Sequence, residues 1–397
     1  MRLGAAQDIA TLDLDQAVGA VLDHRLSPDS PRPVAVALSG GGDSLALLLA
    51  AEAWARRAGR TLLVLTVDHR LRPQSADWTQ TCAATAERLG LGFRALAWTG
   101  DKPAAGLPAA ARAARHGLLA DAARDAGARV ILMGHTADDG LEARVMRAQG
   151  ATTPEPREWS PSPVWPQGRG IFLLRPMLGL RRADIRAWLR ARGEGWIDDP
   201  ANEDVAYARP RARQALARGA AAPDANPAAS AKALALACRP DAGGSFEIAR
   251  AELRAAAPDA LARFVSAACL CAAGTQRPPA GARVGRLAAR LCEVSPFVAS
   301  LAGARVEAAA TQVRFLREAG EAARGGLAAL QLRAGETAIW DGRFEITASQ
   351  AVEIRARAGA IRPVATREDG CEAAVRAEAL THDRLLAACG AIEREPG

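Results

Sequence analysis

The sequence predicts an α/β protein that begins with a doubly wound, mostly parallel sheet of five strands. Between residues 33 and 176, short β-branched or apolar runs alternate with longer alanine-rich stretches of helical character. This alternation is typical of a parallel sheet that carries helices on both faces. The chain has 397 residues, 49% of them hydrophobic, which is enough for two or three domains that each bury a core.

Each predicted element follows from its local composition. Five short apolar runs predict strands at 34–38, 61–67, 92–97, 129–133 and 171–174. The longer stretches between them predict helices at 44–58, 75–89, 108–126 and 138–149. Because ligands of doubly wound sheets bind outside the carboxyl ends of the strands, the loops that follow strands are the expected location of a site.

The chain becomes less regular around the last predicted strand. Residues 151–170, rich in Pro, Gly and Ser, predict a long loop, and residues 181–192 predict a basic helix. Residues 219–230 contain mainly Ala, Pro, Asp, Asn and Gly, which predicts a linker. Residues 1–218 are therefore expected to form one domain.

Two smaller regions are expected beyond this linker. Alanine and leucine at helical spacing predict a helical domain over residues 231–325. Residues 326–397 predict a small C-terminal α+β domain, in which 339–353 has the pattern of a β-hairpin that turns at Asp341-Gly342.

The composition favours a cytoplasmic protein with a polyanionic partner. The net charge is +7, and nearly all the basic residues are arginine, which suits bidentate phosphate contacts, although genome composition alone produces the same bias. No uninterrupted apolar stretch reaches 18 residues and the N-terminus is acidic, so neither a membrane span nor a secretory signal is expected. The seven cysteines are scattered without a Cys-x-x-Cys pair, which favours a reducing compartment.

A glycine-rich segment follows the first predicted strand and opens the first predicted helix. Three glycines let the backbone turn its N–H groups toward one point, and the helix N-terminus adds partial positive charge, so a phosphate site is predicted. A carboxylate beside phosphates requires a cation between them, which makes Asp43 the predicted Mg²⁺ ligand. A glycine turn with a Ser or Asp helix cap is the alternative. The segment consists of Ser39, Gly40, Gly41, Gly42, Asp43 and Ser44.

Two arginines and one histidine lie near the other predicted loops. Arg112 and Arg115 are three residues apart and share a helix face, where they can neutralise charge that grows on a phosphate during transfer. His135, after the fourth strand, can steer a leaving oxygen or contact a phosphate. An exposed basic helix face and a structural histidine are the alternatives.

Three acids follow that histidine. Asp138 and Glu142 are four residues apart on a predicted helix, and Asp139 adjoins them in its first turn. Clustered carboxylates can hold Mg²⁺ or bind the ammonium of an amine substrate. Ordinary enrichment of acids at a helix N-terminus is the alternative.

The glycine-rich segment resembles the Ser-Gly-Gly-x-Asp-Ser signature of the PP-loop ATP pyrophosphatases, which cleave ATP between the α and β phosphates and pass AMP to an acceptor. Further segments are similar, in order and approximate spacing, to the motifs of the tRNA(Ile)-lysidine synthetase family. These segments are Val-Asp-His-Arg-Leu-Arg at 67–72, Arg-Ala-Ala-Arg-His at 112–116, Gly-His-Thr-Ala-Asp-Asp at 134–139, and Asp-Asp-Pro-Ala-Asn at 198–202 with arginines at 209–213.

This resemblance implies an adenine nucleotide alpha hydrolase-like fold and an AMP-forming ligase that makes a C–N bond. The implied reaction joins L-lysine to C2 of the wobble cytidine of an isoleucine tRNA with a CAU anticodon. Cytosine O2 attacks the α-phosphate of ATP, and the lysine amine then displaces AMP. ATP, Mg²⁺, lysine and tRNA are therefore the expected ligands, and a homodimer is a possible assembly.

The resemblance also implies roles for individual residues. The segment 39–44 would hold ATP, with Asp43 on the magnesium side, and Arg112 and Arg115 would face the adenylate. Asp138 and Asp139 would orient the lysine ammonium or a metal. The expected substrate-binding residues are His69, Arg72, Glu142, Asp199, Asn202, Arg209 and Arg213.

The chain departs from the family pattern at three places. His116 stands where the motif commonly ends in tyrosine, and Arg209-Pro210-Arg211 stands where the family often has Arg-Asn. The predicted loop 151–170 lacks the usual glycine-rich, arginine-bearing segment, which bears on base recognition.

Two other functions fit parts of the sequence. A PP-loop tRNA thiolase needs closely spaced cysteines for an iron–sulfur cluster or one nucleophilic cysteine, but Cys269 and Cys271 are remote from the nucleotide motifs and no cysteine lies beside a catalytic motif. A catalytically inert tRNA-binding protein would gain nothing from carboxylates in its groove. We expect basic residues from Arg175 through Arg213, and the region beyond residue 231, to bind tRNA phosphates.

Overall fold

The computed structural model describes residues 13–151, 153–199, 208–223, 230–320, 327–357 and 360–397. The chain forms two compact units. The N-terminal unit comprises residues 1–163, 170–226 and 393–397, and the C-terminal unit comprises residues 164–169 and 227–392. The division into three domains and a linker stays a prediction, and residues 224–229 of that linker lie outside the described residues.

The N-terminal unit is built on a six-stranded sheet. Its strands are β1 Val34–Ala37, β2 Leu62–Asp68, β3 Gly92–Ala97, β4 Val130–Leu132, β5 Trp159–Pro161 and β6 Phe172–Leu174. They lie in the order β3-β2-β1-β4-β6-β5, with β5 antiparallel to β6 and the other pairs parallel. The five predicted strands are confirmed to within one residue at each end.

The additional strand β5 lies inside the predicted loop 151–170. The Trp159 ring stacks on Phe172 with centroids 4.9 Å apart, which holds the strand against β6. Pro161 is tolerated because β5 is an edge strand, where one N–H is not needed for pairing. The proline and serine content of this stretch hides a strand that tertiary packing creates.

The helices of this unit confirm the four predicted after strands and the basic helix, each to within two residues. They are α1 Leu14–Arg25, α2 Gly42–Ala58, α3 Ser75–Arg88, α4 Leu107–Asp125, α5 Ala137–Ala148, α6 Arg182–Ala191 and α7 Ala208–Ala217. Helix α1 was not predicted, and it begins where Asp13 Oδ1 accepts a hydrogen bond from Gln16 N at 3.0 Å.

Both faces of the central strands β1, β4 and β6 are buried, as a doubly wound topology requires. Successive residues of β1 alternate between the faces: Val34 and Val36 pack with Leu47 of α2, and Ala35 packs with Leu119 of α4. The carboxyl ends of the parallel strands meet at one edge, so the loops after β1, β2 and β4 lie side by side. Among the described helices, none combines the length and the hydropathy that a membrane span requires.

The C-terminal unit contains helices, as predicted, together with an antiparallel sheet that the sequence did not reveal. The helices are α8 Lys232–Leu236, α9 Arg250–Ala255, α10 Pro258–Ala273, α11 Gly281–Cys292 and α12 Thr381–Cys389. The strands are β7 Arg239–Pro240, β8 Phe246–Ala249, β9 Phe297–Leu301, β10 Ala304–Ala308 and β11 Gln312–Arg317, in the order β7-β8-β11-β10-β9. Helix α10 packs on this sheet through Phe264, whose ring meets that of Phe315 edge-on at 5.8 Å.

Two smaller antiparallel sheets follow, with the orders β12-β15-β16-β17 and β13-β14-β18. Their strands are β12 Leu330–Leu332, β13 Thr337–Trp340, β14 Phe344–Thr347, β15 Val352–Arg357, β16 Ala360–Thr366, β17 Glu372–Ala373 and β18 Arg376–Ala379. The predicted hairpin is confirmed for β13 and β14, with Asp341 and Gly342 left-handed at the turn (φ 53° and 61°). Its predicted end is wrong, because residues 352–353 belong to β15 in the other sheet.

Candidate active site

The glycine-rich segment connects the carboxyl end of β1 to the start of α2. Ser44 Oγ accepts a hydrogen bond from Ser39 N at 3.2 Å and donates to the Gly41 carbonyl at 2.9 Å, which closes the segment into a tight loop. Gly41 is extended and immediately precedes the helix, so the first N–H groups of α2 have no helical carbonyl to bind. The loop therefore offers backbone donors and the positive end of a helix to an anion.

Close packing around this loop requires glycine at two positions. Gly40 has a φ of +81°, and a Cβ there would lie 2.5 Å from Ile197 Cδ1. The Ile197 N–H also donates to the Gly40 carbonyl at 2.9 Å. Gly134, after β4, lies so close to α2 that a Cβ would be 3.0 Å from the backbone of Asp43. The loops after β1 and β4 are therefore in contact at Asp43.

Arg182, the first residue of α6, contacts three carboxylates at this junction. Its Nε donates to Asp43 Oδ2 at 2.8 Å. Its Nη2 donates to Asp139 Oδ2 at 3.2 Å, and its Nη1 donates to Glu142 Oε1 at 3.1 Å. Arg213 Nε shares the same Glu142 oxygen at 2.9 Å. We call Asp43, Asp139 and Glu142 the carboxylate cluster.

Asp138 is bound elsewhere. Its Oδ2 accepts from the backbone N–H of Arg182 at 2.8 Å, and its Oδ1 accepts from Arg181 Nη2 at 3.0 Å. Asp138 therefore satisfies a free N–H at the start of α6 and fixes that helix against α5. Because both of its oxygens bind protein donors, the structure favours a positioning role for Asp138 over direct contact with a ligand.

Burial and charge act against each other in the carboxylate cluster. Burial raises the pKa of Asp43, although the charge and hydrogen bond of Arg182 act in the opposite direction. Burial also opposes ionisation of Asp139, but the guanidiniums of Arg209 and Arg182 and the Thr136 N–H, 2.9 Å from Oδ2, lower its pKa overall. The three carboxylates raise the pKa of Arg182 despite its burial, so Arg182 stays charged.

The cluster retains capacity for a cation. Asp43 Oδ1 and Glu142 Oε2 are buried and have no hydrogen-bond partner among the described residues. A buried carboxylate oxygen without a donor is costly unless a ligand meets it. No three His, Cys, Asp or Glu side chains of the described residues are arranged to hold a metal by themselves. These residues fit an ion that takes one or two carboxylates from the protein and its other ligands from phosphates, as Mg²⁺ commonly does.

A second group of side chains concentrates positive charge. Arg112 and Arg115, on α4, form no ion pair with a described residue, and Arg209 Nη1, on α7, lies 3.6 Å from Asp139 Oδ1. Burial, together with repulsion from Arg112 and Arg209, lowers the pKa of Arg115 to about 10. Guanidiniums that repel one another are stabilised by an anion, so this group is suited to phosphate.

His135, which follows β4, is neutral in this environment. Arg175 Nε donates to its Nδ1 at 3.2 Å, so the neutral ring carries its proton on Nε2. Burial and then the charge of Arg175 lower the pKa of His135 to about 3. His135 is therefore a fixed hydrogen-bond donor and not a general base. Arg175 is only 5% exposed, so its predicted contact with tRNA is wrong.

The remaining predicted residues lie around these groups. Arg72, in the loop after β2, forms an ion pair with Asp199, with Nη1 and Oδ1 3.1 Å apart. The His69 ring meets Trp98 edge-on with centroids 6.1 Å apart. Burial, and then the charge of Arg115, lower the pKa of His69. Asn202 lies outside the described residues.

Two buried side chains change what the sequence suggested. His116 is 2% exposed, and burial followed by the charges of Arg115 and Arg112 lowers its pKa to about 2, so it is an uncharged packing residue. Cys82, on α3, is 1% exposed, and its Sγ would lie 3.4 Å from a Cβ on Gly40. The prediction that no cysteine lies beside a catalytic motif is therefore wrong, because the fold places Cys82 next to Gly40 of the glycine-rich loop. Burial raises the pKa of the Cys82 thiol, which leaves it a poor nucleophile.

The sequence did not predict Arg182 as a residue of the site. It lies in an arginine-rich segment that was expected to bind RNA. Its position carries a signal. Arg181 and Arg182 stand at a helix N-terminus, where the helix dipole disfavours cations. A cation at that end needs an acidic partner, and the acids at 138–142 were already expected to face a site.

Comparison with known proteins relates this site to a family. A model of the PP-loop domain matches residues 14–219, which include every residue of the candidate site. A tRNA(Ile)-lysidine synthase from Caulobacter vibrioides is 46% identical over 96% of this chain and 99% of its own length. The enzyme of that name from Hyphomonas neptunium is 35% identical over 85% of this chain and 94% of its own length. That from Rhizobium meliloti is 36% identical over 80% of this chain and 73% of its own length.

Two solved structures are similar to part of the chain. The U34-tRNA thiolase NcsA from Methanococcus maripaludis with its 4Fe–4S cluster gives a TM-score of 0.42 at 13% identity, over 52% of this chain and 73% of that chain. An NMN synthetase from Francisella tularensis gives 0.36 at 12% identity, over 54% and 89%. With the domain model matching more than half of its residues and a relative 46% identical along nearly its whole length, this chain belongs to the tRNA(Ile)-lysidine synthase family of PP-loop proteins.

Proposed function

We propose that the chain ligates L-lysine to C2 of the wobble cytidine of an isoleucine tRNA with a CAU anticodon, at the expense of ATP. The products are the lysine-modified tRNA, AMP and pyrophosphate. The observation that carries the proposal is the contact at Asp43, where an anion-binding helix start and the carboxylate cluster meet. Similarity to a tRNA(Ile)-lysidine synthase along nearly the whole chain supports these substrates.

The loop at 39–44 would bind the phosphates of ATP through the free N–H groups at the start of α2. Mg²⁺ would be held by Asp43, whose Oδ1 is buried and without a partner. Glu142 Oε2 is the second oxygen of this kind in the carboxylate cluster. When bound, the ion neutralises charge on the pyrophosphate that leaves.

In the first step, cytosine O2 would form a bond to the α-phosphorus while the bond from phosphorus to the pyrophosphate oxygen breaks. Arg112 and Arg115 form no ion pair with a described residue, so their charges are available to the α-phosphate as negative charge grows there. The Nε2–H of His135 would donate a hydrogen bond to the same phosphate. Because Arg175 fixes the imidazole, this donor needs no reorganisation during the reaction.

In the second step, the lysine amine would bond to C2 and AMP would leave with the oxygen. The lysine ammonium must lose a proton before its nitrogen can attack, and the carboxylate cluster would bind the ammonium and accept that proton. Asp139 and Glu142 would bind it by sharing contacts now made by Arg182. Asp138 would act indirectly, because it holds the start of α6 and therefore Arg182.

The two alternative functions have less support. The thiol of Cys82 near the loop, and those of Cys269 and Cys271, are buried with raised pKa values, so none has the character of the thiolate that sulfur transfer uses. An inert RNA-binding protein does not account for buried carboxylate oxygens without partners beside an anion-binding loop.

The proposal is tested by incubating the purified chain with ATP, Mg²⁺, radiolabelled lysine and a tRNA(Ile) transcript with a CAU anticodon. After digestion to nucleosides, one labelled nucleoside should appear, together with AMP and pyrophosphate in equal amounts. A transcript with the wobble cytidine replaced by uridine is the control and should take up no lysine. Labelled lysine equally present in both transcripts would contradict the proposed acceptor.

We also propose a cytoplasmic location and, as a separate hypothesis, assembly into a homodimer. Sedimentation at micromolar concentration tests the homodimer, which predicts about twice the 41.4 kDa mass of the chain. The reducing chemistry expected of a cytoplasmic protein is consistent with the free thiols of the described cysteines.

A further inference from the structure

Helix α11, in the C-terminal unit, carries a row of exposed arginines. Arg283, Arg286 and Arg290 are separated by three and four residues, which places them on one side of the helix. We call these three residues the α11 arginine face. The opposite side packs into the core through Val284, Leu287, Ala288 and Leu291.

Helix stability does not account for this row. Helix α11 contains no acidic residue, and Arg283 lies in its first turn, where the dipole disfavours a cation. Neither Arg283 nor Arg286 forms an ion pair with a described residue. Between and beside the arginines the exposed residues are Ala282, Gly285 and Ala289, so no bulky side chain separates the guanidiniums from an approaching surface.

The C-terminal end of the face is held in place. The Arg290 guanidinium lies 4.1 Å from the centroid of the Phe297 ring. Arg254, on α9, donates from Nε to the Cys292 carbonyl at 3.2 Å and from Nη2 to the Glu293 carbonyl at 2.8 Å. The ring contact reduces the freedom that the Arg290 side chain would lose on binding a partner. Arg254 also adds a further positive charge at the end of α11.

We propose that the α11 arginine face binds the phosphate backbone of the tRNA substrate, an inference that rests on the proposed function. With a rise of about 1.5 Å per residue, the three guanidiniums span about 10 Å along the helix, so they can meet successive phosphates of an RNA strand. Three arginines without acids on the same helix face are complementary to a polyanion. Contacts of this kind supply affinity and register and read no bases.

The test compares two triple variants of the full chain. Arg283→Gln/Arg286→Gln/Arg290→Gln removes the face. The control, Arg333→Gln/Arg367→Gln/Arg376→Gln, removes the same charge from exposed arginines elsewhere in the C-terminal unit. Affinity for the tRNA(Ile) transcript is measured from 50 to 200 mM salt, and lysine incorporation is measured at limiting and saturating tRNA.

The face variant should bind about tenfold or more weakly than the control, and its slope of log affinity against log salt should be shallower by about 3, close to one per lost phosphate contact. Its KM for tRNA should rise while its kcat at saturating tRNA stays unchanged. Equal affinity of the two variants would overturn the inference and leave an acidic protein as the partner of this face. Weaker binding with an unchanged salt slope would overturn it too. Failure of the wild-type chain to bind any tRNA would instead contradict the proposed function itself.

Discussion

The guanidinium of Arg182 donates from Nε to Oδ2 of Asp43 at 2.8 Å, and its other nitrogens reach Asp139 and Glu142. One side chain therefore joins the glycine-rich loop after β1 to the acids of α5. Three carboxylates at such short range, of which Asp139 and Glu142 are buried and Asp43 is half-buried, would repel one another strongly without a cation among them. Arg182 supplies that cation within the protein, and this organises the site in which ATP and lysine are proposed to meet.

Arg182→Met should lower kcat/KM for AMP formation by at least about 100-fold, because the carboxylate cluster rearranges or takes up protons when its cation is removed. The acid limb of its pH–rate profile should also move to higher pH, since Arg182 acts to lower the pKa of Asp43. Arg182→Lys keeps the charge but not the several donors of a guanidinium. Its kcat/KM should lie between those of the wild-type chain and Arg182→Met. Arg190→Met, on the exposed side of the same helix, is the control. Wild-type kinetics in Arg182→Met would show that the arginine has no part in the site.

Arg112→Gln should reduce kcat about 100- to 1000-fold with little change in the KM for ATP, because the charge of Arg112 acts on the α-phosphate mainly as the transition state forms. Steady-state kinetics of AMP release provide the measurement. Arg124→Gln, at the end of the same helix and paired with Asp121, serves as the matched control. A raised KM with unchanged kcat would mean that Arg112 only binds ATP in its ground state.

Gly40→Ala should abolish ATP-dependent AMP formation and lower the free energy of unfolding by about 1–3 kcal/mol. The alanine would be held at a disfavoured positive φ, and its Cβ would overlap Ile197. Gly59→Ala separates the two effects. Gly59 also has a positive φ, +66°, but a Cβ there meets no atom within 4 Å. Gly59→Ala should therefore lose some stability but keep its rate of AMP formation. Equal activity in the two variants would exclude the close packing at Gly40 as a requirement for catalysis.

Acid should destabilise the fold between about pH 6.5 and pH 3. His116 and His135 have pKa values lowered by burial to about 2 and about 3 in the folded chain, against about 6.5 when unfolded. In this range the unfolded chain binds protons that the folded chain does not, so stability falls as the pH falls, by up to about 1.4 kcal/mol per pH unit for each histidine. In His116→Phe, urea unfolding should show this slope reduced by about one histidine. An unchanged slope would mean that His116 is protonated in the fold.

The sequence predicted the N-terminal sheet well because local pattern and tertiary role coincide there. The run at 34–37 is apolar on both faces, as a central parallel strand must be, and the glycines after it mark the turn into α2. The same reasoning failed for β10, which reads Ala-Arg-Val-Glu-Ala. Its alanines and charges favour a helix locally, and only pairing with β9 and β11 makes it a strand.

The candidate site also has a part that the sequence predicts and a part that only the fold reveals. The loop at 39–44 and the acids at 138–142 were found because their chemistry is local to short segments. The role of Arg182 depends on the packing of α6 against α5 through Asp138, a tertiary contact that no spacing in the sequence records. The distinction between Arg115, which forms no ion pair with a described residue, and Arg175, which is buried against His135, also depends on the fold alone.

The most direct test of the central claim is AMP formation by Asp43→Asn, with Asp184→Asn, an exposed carboxylate on α6, as the control. Both variants are incubated with ATP, Mg²⁺, lysine and tRNA(Ile), and their affinity for tRNA is measured in parallel. Asp43→Asn should form no AMP above background while it binds tRNA as the wild-type chain does, and Asp184→Asn should be fully active. Normal AMP release by Asp43→Asn would contradict the assignment of ATP cleavage to this loop.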